Sequence, residues 1–367
     1  MYKRQPEGNR FLPAPLNLNE YNTFNFSQNY ENLDYRAKQL WTEQFNWFVN
    51  YANTFGKHDV NAMVVFEQAA NGGEWIQAKG EQPMANLDQM FNYSKDAERR
   101  WGDAEEYTGG RLSWIGRFNY TFDQKYIAEF SFRYDGNTLF PDGHRWGFFP
   151  SVSAAWRLSE ESFMENTTDW LSNLKLRASY GTTGNDLDLS KDPIDKITAF
   201  SYLQKYNTGG TYVFGSNLAN TIVAGDTPNP TLTWATSTTY NGGLDFGFFN
   251  NRLSGTLDVF YRKEVDILGP RTVTLPSTYG QALAPENYAE RSWRGGELAL
   301  TWMDKAANGA IDYSAYVNLG FARDRWDVLD VSATYQEGGN LYALSPLGKA
   351  DGILTGLIAD HLLTDPA

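Results

Sequence analysis

The chain has no cysteine. That excludes a disulfide framework, a thiolate metal site and a cysteine nucleophile. Histidine is scarce, with 3 in 367 residues, and His58, His144 and His361 form no pair at His-x-x-x-His spacing. There is no excess of positive charge: 31 Lys plus Arg stand against 44 Asp plus Glu, so the basic footprint of a nucleic-acid binder is missing. No apolar run reaches the roughly 18 residues of a membrane-spanning helix, which excludes a helical membrane protein. The Gly-Gly pairs at 72–73, 109–110, 209–210, 242–243, 295–296 and 338–339 lack the Lys-Ser/Thr of a phosphate-binding loop, and they read as loop hinges and strand starts. Glu105-Glu106 and Glu160-Glu161 are adjacent carboxylates; neighbours on a strand face opposite ways, so neither makes an acid/base pair. Ser159 is expected to cap a short helical turn that has these acids near its start. No catalytic residue, metal site or cofactor is expected. Met1–Pro6 is not followed by the apolar stretch of a secretory signal, and Leu363–Ala367 stops without a finishing element; a piece of a longer chain is expected.

What is plentiful is aromatic: 12 Trp, 22 Tyr and 23 Phe make 16% of the residues, too many for a disordered chain. They recur with period two, which places one residue set on one face of a strand. Leu112, Trp114, Gly116, Phe118, Tyr120 and Phe122 alternate with Arg111, Ser113, Ile115, Arg117, Asn119 and Thr121. After Asp123-Gln124-Lys125, a hairpin-sized turn, Tyr126, Ala128, Phe130, Phe132 and Tyr134 alternate with Glu129, Ser131, Arg133 and Asp135. The same pattern marks 146–158, 174–181, 240–249, 253–264 and 311–321, and more weakly 44–55, 60–68 and 296–303. These are ten strands, several of ten or more residues, whereas soluble strands average about 5–6 and strands crossing a membrane at a tilt need about 9–11. Pro150 cannot donate to a ladder and predicts a bulge or local edge.

The connections alternate in length. Short ones at 56–59, 123–125, 250–252 and 304–310, with a longer 159–173, separate the mostly long 69–110, 136–145, 184–235 and 266–291. A meander with short turns at one rim and long loops at the other is the pattern of an outer-membrane barrel. Residues 69–109 hold eight acids and four bases and read as solvated. A soluble antiparallel sandwich also alternates. Strand length, loop alternation and the aromatic density of one face favour the membrane barrel, because amphipathic rings settle where hydrocarbon meets headgroups.

Three strings go further. One is Arg145-Trp-Gly-Phe-Phe-Pro-Ser-Val-Ser-Ala-Ala-Trp-Arg-Leu158, followed by Trp170-Leu-Ser-Asn-Leu-Lys-Leu-Arg-Ala-Ser-Tyr-Gly-Thr-Thr-Gly-Asn185. The second is Asn229-Pro-Thr-Leu-Thr-Trp234 with Gly243–Lys263, and the third is Tyr51–Val60. In this order they resemble the SusC/RagA-like family of TonB-dependent outer-membrane transporters, through about residues 44–360. Two departures stand out: Ala235 follows Trp234 where the family commonly has Glu, and Arg291-Ser-Trp-Arg-Gly295 stands where an Asn usually precedes the Gly-Glu-Leu. The resemblance implies an all-β, antiparallel transmembrane barrel meander, with residues 1–367 as part of a barrel of about 22 strands; the plug domain and the closing strands are not recognisable here. It implies TonB-dependent uptake of oligosaccharides or peptides and a SusD-like surface lipoprotein. Energy would come from TonB–ExbB–ExbD through the plug, and the setting would be the outer membrane of a Gram-negative bacterium, against its lipid. Nucleic acid is not an expected partner. A metal–siderophore receptor on the same barrel, or a soluble β-rich carbohydrate-binding protein, are the alternatives.

Two residue sets are candidates for function. Loops on a rigid scaffold carry binding, and Trp75, Trp101, Tyr202, Tyr206, Tyr212, Trp234 and Trp293 fall in or beside the long loops, with Phe214, Tyr279 and Tyr288. An aromatic plane beside Asn and Asp holds an amphipathic solute such as a sugar; packing the loops together is the alternative use. Arg117, Arg133, Asp135, Arg177, Asp245, Asp258, Arg262 and Glu264 are expected to face the lumen, since Arg or Lys on a lipid face costs about 2–4 kcal/mol near the midplane.

Overall fold

The computed structural model describes residues 32–81, 100–188, 195–196, 200–215, 217–272, 276–306, 311–332, 335–337, 339, 341 and 344–351. Among them are the strands β1 (Asn32–Phe55), β2 (His58–Glu81), β3 (Arg100–Phe122), β4 (Tyr126–Asn137), β5 (Trp146–Arg157), β6 (Leu171–Asn185), β7 (Leu187–Asp188), β8 (Asp195–Lys196), β9 (Tyr206–Phe214), β10 (Asn217–Ala224), β11 (Ala235–Phe248), β12 (Leu253–Gly269), β13 (Glu286–Ala306) and β14 (Ile311–Val328). The ten strands expected from alternation are β1–β6 and β11–β14. They are hydrogen-bonded in chain order, with β6 beside β11. The chain divides into two units: residues 1–44 with 69–110, and residues 45–68 with 111–367.

In the first unit β2 runs to Glu81 and β3 begins at Arg100, so much of the expected solvated loop 69–110 is strand. Glycine hid it: a Cβ at Gly72 would stand 2.6 Å from the Trp41 ring, so the position is bare because a large ring lies over it. Of the paired glycines read as hinges and strand starts, those at 72–73, 109–110, 209–210, 242–243 and 295–296 are inside strands. The long connection 184–235 likewise contains β7, β8 and the hairpin β9–β10.

In the second unit the short turns line one rim. Asp123 and Gln124 take φ of 51° and 59°, and Phe249, Asn250 and Asn251 take 55°, 57° and 60°, the left-handed backbone of tight hairpins. Successive turns are tied by backbone bonds: Asp123 N–H to Lys57 O (2.8 Å), Arg157 N–H to Lys125 O (2.8 Å), Phe249 N–H to Trp170 O (2.8 Å) and Met303 N–H to Arg252 O (2.7 Å). Between β5 and β6 the chain makes two short 3-10 turns, Leu158–Glu160 and Ser162–Thr167. Ser159 is not their cap; Arg157 and Glu161 precede them and no side chain caps either. Glu161 instead accepts bonds from Tyr126 Oη (2.6 Å), Trp156 Nε1 (3.0 Å) and Lys125 Nζ (3.3 Å). These bonds, the tyrosine's foremost, hold its carboxyl below the usual range. Pro150 lies just where the β5–β6 ladder stops, since that ladder pairs only Ser151–Arg157, in line with the expected local edge.

Register sorts the faces. Arg117, Ser131, Ser151, Gly181, Thr239, Arg262, Trp293 and Asp324 are successive cross-strand partners from β3 to β14, so they share one face. The neighbouring row on the opposite face is Phe118, Phe130, Val152, Tyr180, Tyr240, Tyr261, Arg294 and Arg323. On that second face Tyr126 stacks on Trp156 (6.2 Å, 17°) toward the turn rim, and Tyr134 on Trp146 (4.8 Å, 19°) toward the loop rim. The eight-residue step from Tyr126 to Tyr134 is about 26 Å of strand, and Phe130, Phe132, Phe148 and Val152 lie between. Two aromatic bands flanking an apolar one are the girdles of a lipid-facing barrel wall. A wall of that kind turns its other face, here the first, toward the lumen.

Candidate functional site

The lumen face is built from short polar side chains that leave room for arginines. Gly243 is opposite both Arg177 and Asp258 in register, and a Cβ there would come 2.8 Å from the Arg177 guanidinium carbon. In the space so kept, Arg177 donates Nε to Asp245 (2.8 Å) and Nη1 and Nη2 to Asp258 (3.1 and 3.0 Å). Lys175 Nζ reaches the other oxygen of Asp245 at 3.3 Å. Arg133 is held by Asp135 (3.0 Å) and donates to Ser113 (3.2 Å), with Glu67 at 3.5 Å. Arg117 pairs with Glu129 at 2.7 Å. Arg262 donates to Ser237 (2.7 Å) and lies 3.5 Å from Glu264, which is buried and also accepts from Asn185 (3.2 Å). The residues expected to face the lumen thus share one face and are knitted across strands.

Toward the loop rim aromatic planes join these charges. The Arg262 guanidinium lies 4.6 Å over the Trp293 ring, and Arg291, paired with Asp324 (Nε, 2.9 Å), lies 4.9 Å from both Trp293 and Trp326. A cavity of about 570 Å³ opens nearby, lined among others by Arg111, Arg133, Asp135, Ser151, Thr183 and Trp234. Arg111 pairs with Asp186 at its edge. Such a wall offers hydroxyl and carboxylate acceptors, guanidinium donors and flat apolar faces. These suit a hydroxyl-rich solute or a peptide backbone.

The expected aromatic residues fall in different places. Trp234 is 8% exposed. It packs on Phe140 (4.6 Å) and edge-on to Phe149 (5.5 Å), and it donates Nε1 to Arg145 O (3.2 Å). Phe140, Phe149, Leu232, Trp234 and Leu268 form one core, against which Tyr202 packs. Trp293 stands half-buried in the lumen row. Tyr206 and Tyr212 are exposed on β9, the latter edge-on to Phe214 (5.4 Å). Trp75 and Trp101 lie within β2 and β3 rather than in a loop. Arg36 sits 4.9 Å over the Trp75 ring, inside the first unit; the Trp101 side chain is outside the described residues.

Sequence reasoning missed the asparagines that close the loops. Asn229 donates to Pro285 O (2.8 Å) and accepts from Thr231 N–H (3.1 Å). Asn287 donates to Thr233 O and Asp266 O (2.9 and 2.8 Å) and accepts from Thr233 N–H (3.0 Å). The sequence signal was the string Asn229-Pro-Thr-Leu-Thr-Trp234, in which asparagine and tryptophan each hold a different part of the loops.

A model of the family described as TonB dependent receptor-like, β-barrel, matches residues 7–347. The chain belongs to this family. Among its relatives, TonB-dependent receptor SusC of Bacteroides thetaiotaomicron is 30% identical over 274 residues, 72% of this chain and 26% of that protein. TonB-dependent receptor P26 of Formosa agariphila is 34% identical over 201 residues, 53% of this chain and 18% of that protein. The chain therefore spans about a quarter or less of the curated relatives it matches. Among solved structures, the RagAB peptide importer in its open-open state superposes with a TM-score of 0.69 at 26% identity, over 81% of this chain and 31% of that chain. This TonB-dependent receptor chain is SusC/RagA-like, and its strands are those of a barrel in the outer membrane of a Gram-negative bacterium.

Proposed function

We propose that these strands form part of the barrel wall of a transporter that takes up oligosaccharides or peptides across the outer membrane. The observation that carries this is the lumen row from Arg117 to Asp324, a continuous polar surface ending in the Arg262–Trp293–Arg291 stack. It supports passage of a polar solute, and similarity to SusC and to the RagAB peptide importer supports a nutrient cargo. In this reading residues 1–367 are one portion of the barrel domain. A SusD-like lipoprotein covers the long loops, TonB with ExbB and ExbD drives a plug outside these residues, and no reaction is catalysed. Trp293, Tyr206 and Tyr212 are proposed solute contacts, with Trp75 and Trp101 as further candidates. Trp234 and Tyr202 hold the loops in place. Mechanistically the wall works by exchange: each arginine already has an acidic partner, so a solute hydroxyl or carbonyl competes for one donor at a time and is bound loosely enough to move on. The test is uptake of labelled oligosaccharide and peptide pools by cells with and without the full-length gene, with a protonophore control. Identical uptake of both pools in the two strains rejects the proposal.

A further inference from the structure

On the lipid face of β12–β14 two rows lie side by side at the loop rim: Tyr261–Arg294–Arg323, and Lys263–Ser292–Arg325. Arg294 and Arg323 are directly opposed, and both are exposed. Like charges placed directly opposite destabilise a sheet. Lys263 is neutralised by Glu290 (2.8 Å) and Arg325 by Asp327 (2.6 Å), but among the described residues Arg294 and Arg323 have no carboxylate partner. The segment after β14 brings a further cation alongside: Trp326 N–H bonds Lys349 O (3.0 Å) and Gly348 N–H bonds Trp326 O (2.8 Å). Tyr261, Arg294, Arg323, Arg325 and Lys349 line a cavity of about 350 Å³ together with Asp324, whose carboxylate is paired with Arg291.

Position identifies the anion. Toward the turn rim the same face continues as Val259–Gly296–Phe321, Leu257–Leu298–Leu319, Gly255–Leu300–Val317 and Leu253–Trp302–Ala315. From Leu253 to Tyr261 is eight residues, about 26 Å of strand, which at the roughly 40° tilt of such strands spans about 20 Å of the roughly 25 Å apolar band of an outer-membrane barrel. The arginines therefore stand at the outer edge of that band, from which their long side chains reach headgroup level, on the long-loop side that faces outward. Guanidinium forks match phosphate bidentately, and one phosphate between Arg294 and Arg323 would turn their repulsion into two attractions.

We propose that Arg294 and Arg323, assisted by Lys349, bind the phosphate of a phosphorylated glycolipid in the outer leaflet, seated against the Leu298–Leu319–Phe321 surface. The proposal rests on the barrel reading and is independent of cargo, so lipid binding and nutrient uptake succeed or fail separately. The full-length protein, extracted in mild detergent and delipidated, would be titrated with bis-phosphorylated lipid A, with dephosphorylated lipid A and with inorganic phosphate, reading bound lipid by native mass spectrometry. The expected result is roughly tenfold or greater preference for the phosphorylated lipid, the same loss in the Arg294→Gln/Arg323→Gln variant, and no displacement by millimolar phosphate. Equal binding of the two lipids by the unaltered protein overturns the proposal without relying on any variant. Undiminished binding by the double variant overturns the assignment to these arginines, and displacement by free phosphate overturns the lipid as the source.

Discussion

On the lumen face, Arg177 sits between Asp245 and Asp258, and Arg262 between Ser237 and Glu264. On the lipid face of neighbouring strands, Arg294 and Arg323 meet each other instead. The backbone is the same, and so is the residue type; what differs is the medium each face is built for. In the proposed transporter the lumen wall would meet solute and water, and its charges are balanced within the protein, so they remain balanced when the lumen is empty. The lipid face is apolar through its middle and places unbalanced charge only at the rim, where the membrane brings anions of its own. Among the described residues charge compensation is therefore internal on one face, and at Arg294 and Arg323 on the other it is not.

The largest effect tests what holds the lumen side together at the loops. Trp234→Ala removes the centre of the Phe140–Phe149–Leu232–Leu268 core, and a buried Trp to Ala change costs about 3–5 kcal/mol. Cleavage of the long loops by protease in the full-length protein should rise sharply while the strands stay protected; unaltered cleavage would mean that the core does not anchor the loops. Next, Leu298→Arg places a charge in the middle of the lipid-facing band, at a cost of about 2–4 kcal/mol. Urea unfolding in detergent or lipid should shift by that amount, and an unchanged midpoint would assign that face to water. Smaller is Arg177→Ala, which strips Asp245 and Asp258 of their shared donor. Hydrogen bonds to charged groups are worth roughly 1.5–3 kcal/mol, reduced here by partial exposure, and Asp258→Asn should partly restore stability by removing one stranded charge. If the single and double variants unfold alike, the two faces do not differ in the way argued.

The smallest effect is on pH dependence at the turn rim. Glu161 has its carboxyl pKa lowered in the folded protein by Tyr126, Trp156 and Lys125. Its contribution is therefore fully present above the unfolded-state value of about 4.3 and is lost as pH falls through the lower folded value. Melting of the full-length protein from pH 6 down to about pH 3 should be less acid-sensitive in Glu161→Gln than in the unaltered protein. Parallel pH curves would remove this carboxylate from the account.

Strand identity was legible because alternation is local: Phe130, Phe132 and Tyr134 state their face within five residues. The same signal failed between 69 and 81, where Gly72 and Gly73 carry no side chain to alternate and Trp41, on another strand, fills the space. That the charged residues share one face was legible, because alternation sorts them from the aromatic set. Of the aromatic candidates, Trp234 resembled a binding residue because its loop is polar, yet its neighbours Phe140 and Phe149 arrive from far along the chain and bury it.

The sequence by itself determined the period-two pattern, the positions of the tight turns and the common face of the charges. Each follows from contacts between near neighbours and from the cost of placing charge in hydrocarbon. Tertiary structure decided which acids Arg177 meets. Asp245 and Asp258 lie 68 and 81 residues from Arg177 and reach it only through the pairings β6–β11 and β11–β12. It also set Arg294 against Arg323, because register in a sheet is fixed by how whole strands align and not by any residue alone.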